Sequence, residues 1–77
     1  MNTSKLEIYV CIAVALHRNG PLATPEIEKE TGIESILALK CLDFLVGQGI
    51  IVRKTKNKNS AIYEITQRGI NVIKFFK

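Results

Sequence analysis

Apolar residues fall along the chain in blocks whose spacing changes three times, and each change marks an element. The first block, Leu6 to Leu16, has ten apolar residues of eleven. Ser4 and Glu7 bracket its start as a capping box, the hydroxyl capping the Glu7 amide while the carboxylate reaches back. A helix over about 5–18 follows, ending at Asn19-Gly20, where glycine supplies a left-handed turn. With no real polar face, such a helix is expected to be buried on all sides, which a chain of 77 residues can hardly arrange by itself. Gly20 to Ala23 reads as an extended connector, a short strand in the order of elements. Thr24-Pro25-Glu26 then opens a second helix, about 25–31, with threonine at the N-cap, proline in the first turn and acids near the positive end.

A third helix, about 34–47, follows a brief turn at Gly32-Ile33, making a helix-turn-helix. At 100° per residue, Ala38, Cys41, Leu42 and Leu45 share one side, with Leu37 at its edge. Ile36, Lys40 and Asp43 face the other way, flanked by Leu39. The period then switches to two. Ile50-Ile51-Val52 and Ala61 to Ile65 read as strands around a polar segment, a hairpin over about 50–65. Thr66 caps a last helix, about 67–77, bearing Ile70, Val72, Ile73, Phe75 and Phe76. The expected architecture is α+β, a three-helix core with a two- or three-stranded β-wing and a C-terminal helix, in one domain over 1–77.

Charge adds a direction to this layout. The net charge is +4. Residues 1–34 carry three cations and five acids, net −2, whereas residues 35–77 carry eight cations and two acids, net +6. A basic half beside an acidic one suits a polyanion. Arg53, Lys54, Lys56 and Lys58 lie within six residues and alternate with Thr55, Asn57, Asn59 and Ser60. Cations and small polar donors together are what phosphate oxygens require, although charge runs are often ordinary solvated turns.

Other chemistry finds little to use. The nine-residue apolar run Ile8 to Leu16 is too short to span a bilayer, and Glu7 with one basic residue makes a poor secretory leader. An intracellular protein is expected. Two cysteines without CxxC spacing and one histidine do not assemble a metal site. Cys11 and Cys41 are either two buried thiols or a disulfide pair. His17 suits a helix C-terminus at the surface. There is no nucleophile beside a base, no carboxylate pair in an evident cleft and no phosphate-cradling glycine loop. No enzyme activity, cofactor or small-molecule substrate is expected.

Three segments carry a resemblance. Gly20-Pro-Leu-Ala-Thr-Pro-Glu-Ile27 resembles the entry into the second helix of winged helix-turn-helix transcriptional regulators. Leu42-Asp-Phe-Leu45-Val-Gly-Gln-Gly49-Ile-Ile-Val-Arg53 is similar to the end of their recognition helix and first wing strand. Tyr63-Glu-Ile-Thr66-Gln-Arg-Gly69 is similar to their return strand and closing helix cap. The likeness covers nearly the whole chain and is greatest to small MarR, PadR and ArsR-type regulators, whose compact versions occur in archaea and their viruses. It implies sequence-specific binding of double-stranded DNA, with the third helix in the major groove and the wing on the backbone. The expected contacts are Ser35, Ile36, Leu39 and Lys40 on the helix, and Arg53, Lys54, Lys56, Asn57 and Lys58 on the wing. It also implies a homodimer through the first and last helices, which their unhidden apolar faces independently suggest. Leu6, Tyr9, Val10, Ala13, Val14, Val72, Phe75 and Phe76 are the expected seam. The third helix departs from the pattern. Groove-reading helices offer Arg, Asn, Gln or Ser to base edges, and this one offers two aliphatics, one lysine and an acid. A protein-interaction module is therefore the second reading, and RNA or non-specific chromatin-like binding the third.

Overall fold

The computed structural model describes residues 4–57 and 60–75, without the side chains of 56–60. The element order is α1 (Lys5–Asn19), β1 (Leu22–Ala23), α2 (Thr24–Thr31), α3 (Ser35–Gly47), β2 (Ile51–Asn57), β3 (Ser60–Ile65) and α4 (Gln67–Lys74). Phe76, expected in the last helix, lies outside the described residues.

Local chemistry sets the ends of these elements. The Ser4 hydroxyl accepts from the Glu7 amide at 3.2 Å and starts α1. The N-cap of α2 is Ala23, one residue before the threonine expected there. Alanine has no side-chain acceptor, so Glu26 does the capping in reverse, its carboxylate accepting from the Ala23 amide at 2.9 Å. Gly32 closes α2 in the left-handed region, φ 73° and ψ 9°, where a β-carbon would be strained, and its amide donates to Glu28 at 2.8 Å. Thr66 caps α4 by accepting from the Gly69 amide at 3.0 Å. The same hydroxyl lies 2.7 Å and 2.9 Å from the carbonyls of Gly49 and Ile50, its single proton serving one at a time.

The connector before α2 is a strand. Leu22 pairs with Tyr63 and Ala23 with Ile62, so β1 joins an antiparallel sheet of order β1-β3-β2. Arg53 also pairs with Tyr63 from the other side, which makes β3 the central strand. Leu22, Ile51 and Tyr63 turn inward onto a core of Ile12 and Leu16 from α1, Ile27 from α2, and Cys41, Leu42 and Leu45 from α3. Each fully buried aliphatic of this set contributes about 1.5–3 kcal/mol. Ala38, Cys41, Leu42 and Leu45 are all buried, the side of α3 that helical spacing assigns to the core.

Two expectations are corrected. The first helix is not buried all round. Ile12, Ala13, Ala15 and Leu16 are covered, but Leu6 is 54% exposed and Cys11 is exposed. One chain has too few elements to cover more than one side of α1. The second concerns the thiols. Cys41 is buried in the core and Cys11 is exposed, and both are free. No bridge is present, and the reading of two buried thiols holds for Cys41 alone. Burial pushes the Cys41 thiol above its ordinary pKa, with Lys5 opposing weakly.

Two measurements follow from this packing. A β-carbon at Gly69 would stand 2.2 Å from the Ile50 carbonyl oxygen and 2.7 Å from the Ile65 side chain. Gly69→Ala should therefore cost about 3 kcal/mol, read as a lower urea midpoint at unchanged slope. Alkylation of the native protein near neutral pH should modify Cys11 alone, because the Cys41 thiolate is both inaccessible and scarce. The second thiol should react only after unfolding, and reductant should leave the melting temperature unchanged.

Candidate nucleic-acid interface

With one side of α3 in the core, the opposite side must face solvent. Ile36, Leu39, Lys40 and Asp43 follow a spacing of three, four and seven, which places them on one stripe. All four are exposed, Ile36 at 65% and Leu39 at 44%. Ser35 stands at the start of the helix, where its hydroxyl donates to the Glu28 carboxylate at 3.3 Å. Glu28 thus brings negative charge to the N-terminal turn of α3, at the place a phosphate would favour.

The sheet sets the second wall. Tyr63 is 2% exposed, and its hydroxyl accepts from the Arg53 Nε at 3.1 Å. The guanidinium carbon is 5.4 Å from the centre of the same ring, within cation–π range. From there the guanidinium reaches back to α3 and pairs with Asp43. The Tyr63 hydroxyl first, and Asp43 after it, hold Arg53 above the ordinary guanidinium pKa, so it stays charged. Lys54 is also engaged, pairing with Glu64 on the adjacent strand at 2.5 Å. Both contacts are solvent-accessible and weak enough to exchange for another anion.

Between these walls lies an open groove of about 580 Å³. Leu39 and Asp43 line it from α3, Arg53, Ile62 and Tyr63 from the sheet, and Pro25 from the start of α2. The structure therefore brings Leu39 and Arg53 to one groove, with Ile36 and Lys40 on the same helix stripe. It holds Ser35 to Glu28 and turns Lys54 toward Glu64. Lys56 and Asn57 belong to β2, but their side chains lie outside the described residues, as does all of Lys58.

Asp43 and Ile62 were missed as participants. Asp43 was legible as outward-facing, but nothing in a separation of ten residues announces its pairing with Arg53. Ile62 was legible only as the polar-side position of an alternating strand, where a large aliphatic is itself a weak signal. Among the described residues, no group of three or more metal-ligating side chains comes together. No helix of the described residues is long and apolar enough to cross a membrane.

A second surface gathers apolar groups. Leu6, Tyr9 and Val10 of α1, Phe44 near the end of α3 and Val72 of α4 line a groove of about 170 Å³. Tyr9 and Phe44 stack with ring centres 4.5 Å apart. Phe75 is 87% exposed just past α4, Val14 is half-buried, and Ala13 is already covered within the chain.

No protein-family model and no curated protein matches the sequence. Solved structures do match it in shape. BpsR of Bordetella bronchiseptica, a protein whose DNA binding is regulated by 6-hydroxynicotinic acid, superposes with a TM-score of 0.82 at 14% identity. The match covers 96% of this chain and 51% of BpsR. The C80S mutant of MarR from E. coli, solved with operator DNA, gives 0.78 at 16% identity, over 88% of this chain and 50% of MarR. F93 from STIV, a winged-helix DNA-binding protein, gives 0.75 at 12% identity, over 97% of this chain and 87% of F93. The chain thus spans about half the length of the first two and most of the third. The fold is a winged helix-turn-helix, with α2 and α3 as the helix-turn-helix and β2–β3 as the wing. Its neighbours in shape are MarR-type transcriptional regulators and a winged-helix protein of similar size.

Proposed function

We propose that this protein is a small transcriptional regulator that binds double-stranded DNA, with α3 in the major groove and the wing on the phosphate backbone. The observation that carries this reading is the shared groove. The outward stripe of α3 and the base of a basic hairpin flank one groove, and the Arg53–Asp43 pair ties them together. A helix needs a cationic flank of this kind to approach a duplex. Arg53 keeps Asp43 and meets phosphate with its exposed face, Lys54 exchanges Glu64 for phosphate, and Lys40, Lys56, Asn57 and Lys58 add charge and donors. A solved complex of MarR with operator DNA supports the same use of the fold. Acting on DNA, the protein would work inside a cell.

The working unit in this reading is a homodimer. Leu6 and Phe75 are exposed and Tyr9, Val10 and Val72 half-buried around one apolar groove, which supports a partner there, with Val14 on the same helix and Phe76 next in sequence. Ala13 would contribute little, since its own chain already buries it. A protein-interaction module is the second reading, favoured by the exposure of Ile36 and Leu39.

Replacing Lys56 and Lys58 by alanine tests the first reading. Folding should move by under ~0.5 kcal/mol, as for most surface changes. Affinity should fall for all duplexes alike, and the log–log salt slope should flatten by roughly two. Unchanged DNA affinity would promote the protein-interaction reading. For assembly, sedimentation at micromolar concentration should give about twice 8.6 kDa. Phe75→Glu should give a folded monomer, because Phe75 is open within its own chain and the buried charge would arise only in the seam.

A further inference from the structure

A helix entering the major groove meets hydrogen-bonding edges and one apolar feature, the C5-methyl of thymine. Little on α3 is left to address the edges. The Ser35 hydroxyl donates to Glu28, and the Asp43 carboxylate is held by Arg53. Lys40 is a single cation on a flexible stem, able to meet a phosphate or a purine edge without fixing either. What remains at the centre of the stripe is aliphatic: Ile36 and Leu39, three residues apart, both largely exposed. Their separation along the helix axis is about 4.5 Å, from a rise of ~1.5 Å per residue. Base pairs rise by about 3.4 Å, so the two side chains would address neighbouring steps. Arg53 lines the same groove from the sheet and sets a cation beside this aliphatic strip. The cations beside it favour a polyanion as the occupant of that strip over an apolar protein face. Residues 35–77 carry a net charge of +6.

We infer that Ile36 and Leu39 are the specificity-determining residues of α3, and that they select duplexes by packing on thymine methyl groups at adjacent base pairs. The inference rests on the DNA-binding reading above and assigns it a chemistry of recognition. Phosphate contacts hold the helix at its depth without regard to sequence, and the two aliphatics discriminate by the area they bury. A·T base pairs are then favoured through the major groove, and 5-methylcytosine, which carries its methyl at the same place, is favoured over cytosine.

The test uses fluorescence anisotropy on a short alternating d(A-T) duplex and on the same duplex with deoxyuridine replacing every thymidine. The full-length chain and an Ile36→Ser, Leu39→Ser variant are compared at two salt concentrations. The unaltered chain should bind the thymine duplex more tightly, by about fourfold for each methyl covered. The ratio should persist at higher salt, since removing a methyl changes no charge. The variant keeps its core face and should bind both duplexes equally with an unchanged salt slope. An alternating d(G-C) duplex should gain affinity when its cytosines carry the 5-methyl group. Equal, salt-dependent binding of thymine and uracil duplexes would overturn this inference and leave DNA binding standing. Discrimination that survives in the variant would also overturn it, placing methyl recognition elsewhere. Absence of salt-dependent binding to any duplex would overturn the DNA-binding reading and this inference with it.

Discussion

Cys41, Leu42 and Leu45 pack into the centre of the molecule with Ile12, Leu16 and Ile27, Ala38 is buried on the same side of α3, and that burial orients everything else. A helix with one face locked in a close-packed core cannot rotate without opening cavities, each costing roughly 24 cal/mol per Å³. The opposite face is therefore presented at a set angle to solvent. Because the chain is short, the same face is also left without a cover. The elements that build the core and the surface offered to a ligand are two sides of one helix.

The wing is attached to this frame by a polar relay. Buried Tyr63 needs a partner for its hydroxyl, and Arg53, directly opposite in the sheet register, supplies it. The guanidinium then has donors to spare and spends them on Asp43 of α3. One arginine thereby satisfies a buried phenol and fixes the distance between hairpin and helix. Its role is first positional, and any phosphate contact would use the face it leaves exposed. That division explains why a count of wing cations overstates the charge on immediate offer.

The acidic and basic halves acquire meaning in the same frame. Glu26, Glu28 and Glu30 belong to α2, where Glu26 caps the helix, Glu28 receives Ser35, and Glu30 receives Asn19 from the end of α1 at 3.2 Å. These acids hold elements together at short range. The cations concentrate in residues 35–77, where they outnumber the acids eight to two. The outward face of α3 is an apolar stripe, Ile36 and Leu39, with Lys40 beside it.

Much was legible from sequence because local rules govern it. Capping at Ser4 and Thr66, the turn at Gly32, the core face of α3 and the alternation that buries Tyr63 follow from spacings of three to four or of two. Such signals depend on neighbours within one turn or one strand. The fold class was legible for the same reason, since these elements occur in a recognised order. Three things were decided only in three dimensions. The partner and register of the short strand, Leu22 opposite Tyr63, came from the sheet, because a two-residue strand has no periodicity of its own. The exposure of Cys11 and burial of Cys41 depended on which side of α1 met the core, and a helix apolar all round gives no local hint. The Asp43–Arg53–Tyr63 relay depended on sheet register and helix packing together, since no spacing along a chain encodes a contact made across two elements.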